Sequence, residues 1–121
     1  MASQQEQLRD RTKAIAVRIV RVYKKLPFTA DPQVLGKQLL RCGTAVAANY
    51  RAACRARSKA QWVAKIGSVV EEADETVFWL EMLSDCEIVS RGRLKELVTK
   101  AHALSALFTA SQRTARANRR P

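Results

Sequence analysis

Apolar residues return every three or four positions in four separate stretches of this chain, and little interrupts the pattern within each stretch. That period matches the 3.6-residue turn of an α-helix and not the two-residue alternation of a strand. Only 4 Gly and 3 Pro stand among 121 residues, and 6% of the chain is aromatic. A many-stranded sheet would lack the turns it needs. The length suits one domain, 1–121, with a hydrophobic core of its own.

The first stretch carries Leu8, Ile15, Ile19, Val22 and Leu26 and predicts a helix over residues 8–26. Pro27 and Pro32 bracket the turn that follows. The second stripe is Leu35, Leu39, Cys42, Val46, Asn49 and Ala53, predicting a helix over 33–57. Asn49 breaks that stripe as a candidate buried amide, with Tyr50 beside it. Gly36, Gly43 and Ala47 leave room for a neighbouring helix to approach.

Ser58 with Gln61 three residues on has the form of a capping box. It opens a third helix over 59–86, with Val63, Ile66, Val70, Ala73, Val77 and Leu80 as its stripe. Ser90-Arg91-Gly92 reads as the last turn, followed by Leu94, Leu97, Ala101, Leu104, Phe108 and Ser111 in a helix over 91–115. Residues 116–121 read as a frayed basic tail. Four helices of similar length with short connections predict an all-α, up-down-up-down four-helix bundle.

The third helix has more apolar surface than one core absorbs. Phe78 and Trp79 point away from its stripe, and Trp62, Val69, Thr76 and Leu83 form a flank beside it. Burial against a second subunit is expected, with Trp62, Glu71, Glu75, Phe78 and Trp79 as candidate interface residues. Isolated exposed aromatics are the alternative. Seven of the eleven acids, Glu71, Glu72, Asp74, Glu75, Glu81, Asp85 and Glu87, lie in this region. An acidic face meeting a basic one would set orientation in such an assembly, and ordinary solvation competes with that reading.

The formal net charge is +11, from 22 Lys plus Arg against 11 Asp plus Glu. Lys37, Arg41, Arg51 and Arg55 fall within roughly 80° of each other on a helical projection, nearly opposite the core stripe. Arg57 and Lys59 extend that patch, and Arg113, Arg116 and Arg120 share a face of the fourth helix. Guanidinium groups on an outward ridge fit phosphate oxygens. Such contacts bind RNA or DNA backbone without reading sequence, and they weaken with salt. A plain solvated basic face is the competing reading.

Chemistry is otherwise sparse. Cys42, Cys54 and Cys86 have no metal-ligand or disulfide spacing and read as free thiols. The lone His102 has no partner at ligand spacing, and no Glu-x-x-His pair exists for a di-metal centre. Neither a phosphate-binding glycine loop nor a nucleophile motif appears. The chain reads as a non-enzymatic protein with no cofactor and no metal. With no leader-like start and no apolar run of about 18 residues, it is expected to stay off the membrane and in the cytoplasm.

The block Leu39-Leu40-Arg41-Cys42-Gly43-Thr44-Ala45-Val46-Ala47-Ala48-Asn49-Tyr50-Arg51-Ala52-Ala53 resembles the hallmark of a bacterial four helix bundle family. That family is also called the 23S rRNA intervening-sequence protein family. Arg55–Ala60, Glu71–Thr76 and Trp79-Leu80 resemble its next blocks, and the likeness runs over roughly residues 8–116. Cys42 departs from the serine usual there. The resemblance implies a homopentamer and a cytoplasmic bacterial protein, with relatives encoded inside 23S rRNA genes. It extends distantly to basic accessory proteins of diversity-generating retroelements, which bind a reverse transcriptase, so a protein partner is a further expectation. Arg41, Asn49, Tyr50 and Arg51 match the motif, but no catalytic residue comes with it.

Overall fold

The computed structural model describes residues 2–118, so Met1 and residues 119–121, Arg120 of the expected tail among them, lie outside the described residues. Four α-helices follow one another: α1 (Gln4–Lys24), α2 (Ala30–Ala53), α3 (Lys59–Asp85) and α4 (Arg91–Ala117). Among the described residues no strand interrupts them. Each packs on the next in sequence, α1 on α2, α2 on α3 and α3 on α4, while α1 and α4 meet only slightly. This is the expected up-down-up-down bundle, with one loose seam.

Side-chain caps start α1 and α3, while α2 and α4 begin without a side-chain cap bond, and the helix ends depart from the apolar stripes. The α1 helix starts four residues before Leu8, where the Ser3 hydroxyl accepts a hydrogen bond from the Glu6 amide at 3.1 Å. Pro32, expected outside α2, sits buried in its first turn, where a missing N–H costs nothing. At its other end α2 stops at Ala53, so Arg55 and Arg57 belong to the connection and not to the helix. Ser58 caps α3 as expected, accepting from the Gln61 amide at 3.1 Å, while Gln61 Oε1 accepts from the Arg57 amide at 2.8 Å.

The third connection turns at a different residue from the one predicted. Gly92 lies within α4, and the left-handed residue is Glu87, at φ 60°. The Glu87 amide donates to the Ser84 carbonyl and the Ile88 amide to the Leu83 carbonyl, both at 3.0 Å. That pair of bonds is a Schellman ending, and a non-glycine residue holds it. At the far end α4 is helical through Ala117, so Arg116 stands on ordered helix and not in a frayed tail.

The core is built from the predicted stripes. Ile19, Leu39, Ile66, Leu80, Leu94 and Leu97 are almost wholly excluded from solvent. Tyr50, not Asn49, enters it from α2: Tyr50 is 2% exposed, whereas Asn49 is half-buried. The Tyr50 ring lies 5.1 Å from that of Phe108 and 6.5 Å, edge-on, from that of Trp62. Burial, followed by neighbouring Cys54, raises the pKa of the Tyr50 hydroxyl. The close approach of α1 to α2 depends on Gly36, which faces Tyr23 and Leu26, and on Gly43, which faces Ile19.

Candidate nucleic-acid interface

Antiparallel packing brings the start of α1, the end of α2 and its connection, the start of α3 and the end of α4 to one end of the bundle. Arg51, Arg55, Arg57, Lys59, Arg113 and Arg116 are all exposed there. Lys59 Nζ donates to the Asn118 carbonyl at 3.2 Å, tying α3 to the C-terminal turn of α4. Arg51 and Arg55 line a surface groove of about 640 Å³ between α1 and α2. The opposite bank of that groove supplies Arg9 and Lys13. The floor is small side chains, Thr44, Ala47 and Ala48, and the α1 rim also carries Glu6 and Asp10.

Arg9 and Lys13 were not among the sequence candidates. Their four-residue spacing on one face of α1 was visible, but only the α1–α2 pairing register places that face beside Arg51.

The single ridge expected along α2 is divided. Arg41 Nη1 lies 3.2 Å from Glu72 Oε2, and its Nη2 lies 3.1 Å from Glu75 Oε1. Glu72, by hydrogen bond and charge, and then Glu75, raise the pKa of this guanidinium. Its charge is spent joining α2 to α3, and Glu75, a candidate for a contact between subunits, is engaged within its own. Lys37 is exposed, but its Cα stands about 21 Å from that of Arg51 along the helix. The groove end and Lys37 are therefore separate patches with a neutralised stretch between them.

The second apolar face of α3 is narrower than predicted. Val69, Thr76 and Leu83, assigned to an outward flank, are buried inside the same bundle. Trp62 is half-buried against Tyr50. What remains outward is Phe78, 51% exposed, with Trp79 half-buried beside it in an edge-to-face pair at 4.9 Å. Trp79 Nε1 is buried and finds no acceptor among the described residues, an unusual state for an indole N–H. Glu71 is exposed near this pair in sequence.

Among the described residues, no three His, Cys, Asp or Glu side chains gather as metal ligands. His102 is exposed on α4. Cys42 is fully buried, and burial raises its thiol pKa. The Cys42 thiol donates to the Leu39 carbonyl at 3.5 Å, and the Thr76 hydroxyl lies 3.4 Å from its sulfur. A thiol held protonated in this way is a poor nucleophile. Among the described residues, no helix is long and apolar enough to cross a membrane.

Fold and surface together define an all-α bundle with exposed basic patches. The model of the 23S rRNA-intervening sequence protein family matches residues 4–110, and the chain belongs to that family. A solved structure from Bacteroides thetaiotaomicron VPI-5482, described as a protein with unknown function from the S23 ribosomal protein family, is 32% identical. The match covers 92% of this chain and 99% of that one, with a TM-score of 0.80. No match is found among the curated proteins.

Proposed function

We propose that this chain is a non-enzymatic, self-associating protein that holds the phosphate backbone of RNA or DNA. The observation that carries the reading is the α1–α2 groove, where Arg9 and Lys13 face Arg51 and Arg55. Arg57, Arg113 and Arg116, exposed at the same end, extend it over the bundle's tip. Contacts of this type neutralise phosphates and release counterions, with no base readout. The groove end replaces the continuous α2 ridge as the binding surface, because Arg41 is already paired.

The test is fluorescence anisotropy with labelled RNA and DNA across a salt series. Affinity should fall steeply with salt, and Arg51→Glu with Arg55→Glu should weaken binding at least about tenfold at low salt. Parental affinity in that double variant would remove the groove from the assignment.

Self-association, as the homopentamer that the family resemblance implies, is supported by exposed Phe78 against Trp79 and its unpartnered indole N–H. Sedimentation should show an oligomer that Phe78→Arg dissociates. A second reading, a structural module for protein contacts with no nucleic-acid binding, is favoured by the same pair. It predicts an intact oligomer with no affinity for nucleic acid near physiological salt.

A further inference from the structure

A second cationic cavity lies at the other end of the bundle, at the loose seam between α1 and α4. It encloses about 360 Å³ and is lined by Arg18, Arg21, Lys25 and Arg93, with no carboxylate in its lining. Arg18 is balanced by Glu96 at 3.3 Å. Arg21, Lys25 and Arg93 have no acidic partner within ion-pair distance among the described residues.

The charges on α1 have an ordinary structural excuse, since cations near a helix C-terminus suit its dipole. Arg93 has none. It stands in the first turn of α4, where the dipole disfavours a cation and where no acidic residue offsets it. Positive charge from two helices therefore converges on one hollow at a cost to stability. An anion in the hollow would reverse that cost.

Apart from Ser90, the remaining wall is apolar. Val22 and Leu94 line it from the helices, Leu26 from the α1–α2 connection, and Ile88 and Val89 from the α3–α4 connection. The Ile88 and Val89 amides both donate to the Leu83 carbonyl, at 3.0 and 3.1 Å, behind the left-handed Glu87. Strained backbone thus places two apolar side chains opposite the cations. The volume is in the range of small-ligand clefts, and polar and apolar side chains share the lining about equally.

We infer that this cavity binds a di- or triphosphate, the chemistry shared by nucleotides and inorganic polyphosphates. Three cations without carboxylate partners on one hollow suit a ligand carrying several negative charges better than a singly charged anion. The apolar wall receives whatever the phosphates carry. Its lining residues stand about 14 Å (Arg18) to about 24 Å (Lys25) along the axis of α1 from Arg9 and none is shared with the groove proposed for nucleic acid, so the site does not depend on that reading.

Isothermal titration of the intact protein at low ionic strength tests this with pyrophosphate, adenosine diphosphate and adenosine. Both phosphates should bind saturably at one site per chain, and adenosine should not bind. Tighter binding of the nucleotide than of pyrophosphate would assign the wall to a base, and equal binding would assign the site to the phosphates alone. Arg21→Glu with Arg93→Glu should lose at least about tenfold in affinity. Arg51→Glu with Arg55→Glu, at the other end, should keep it. All four side chains are exposed, so both variants should fold, which circular dichroism checks. No saturable binding of either phosphate, unchanged affinity in the Arg21/Arg93 variant, or equal loss in both variants would overturn the inference.

Discussion

Gly43 of α2 lies so close under Ile19 of α1 that a Cβ at position 43 would overlap Ile19 Cδ1 and come within 3.2 Å of its Cγ2. Ile19 is fully buried and has little room to give. Overpacking of this type costs about 1–3 kcal/mol. Alanine's better helix propensity returns about 1 kcal/mol. Gly43→Ala should therefore destabilise the bundle by about 1 kcal/mol in urea unfolding. Ile19→Val removes the overlapped methyl, so the double variant should be more stable than the two single losses combined imply.

Glu87→Gly should stabilise the protein. A left-handed conformation costs a non-glycine residue about 1–2 kcal/mol, and glycine's extra freedom when unfolded takes back about half of that. The expected gain is about 0.5–1 kcal/mol, read as a higher urea midpoint with an unchanged slope. Glu87→Ala should show no such gain, because alanine keeps the Cβ.

The three thiols should separate by reactivity. Cys86 is exposed, Cys54 half-buried and Cys42 fully buried with a raised pKa. A thiol reagent at pH 8 should modify Cys86 first and Cys54 more slowly. Cys42 should react at the rate of global unfolding, at least about a hundredfold slower than Cys86.

Acid should weaken the contact between α1 and α4. Lys100, at 2.9 Å, and then Arg18 lower the pKa of Glu96 from its ordinary 4.5. A depressed carboxylate pKa stabilises the folded state above the unfolded value and loses that effect as pH falls through the folded one. Glu96→Gln should thus cost a little stability at pH 7 and less at an acidic pH below the folded pKa, where the parent carboxylate is protonated too. Equal costs at both pH values would show that the amide acts through packing and not charge.

The helices and their inward faces were legible in the sequence because burial enforces the 3.6-residue period. Their ends were less so. Ser3-Gln4-Gln5-Glu6 has the same form as the capping signal at Ser58, but it precedes any apolar residue and a stripe-based reading passes over it. Gly92 resembled a turn former more than Glu87 does, since the left-handed ending is fixed by hydrogen bonds to Leu83 and Ser84. Asn49 and Tyr50 exchanged roles because the stripe drifts toward the end of a long helix, and the larger ring wins the core place.

The candidate surface was harder to read. A projection of α2 alone groups Arg41 with Arg51, yet only the register against α3 reveals that Glu72 and Glu75 lie in reach of Arg41. The partners of Arg51 on α1 are likewise set by pairing between helices. Within one helix, spacing reports which side chains share a face. It does not report what that face meets.

The concentration of acid on one helix has a consequence for how the molecule moves. Six acids stand on α3 against two lysines, while the other helices hold most of the 22 basic residues. The centres of positive and negative charge are therefore displaced from each other, and the bundle carries a large permanent electric dipole in addition to its net charge. A polyanion exerts a torque on such a body as well as a pull, turning α3 outward before contact. The exposed acids of α3 that have no cation within ion-pair distance among the described residues, Glu71, Asp74 and Glu81, bias which side arrives first.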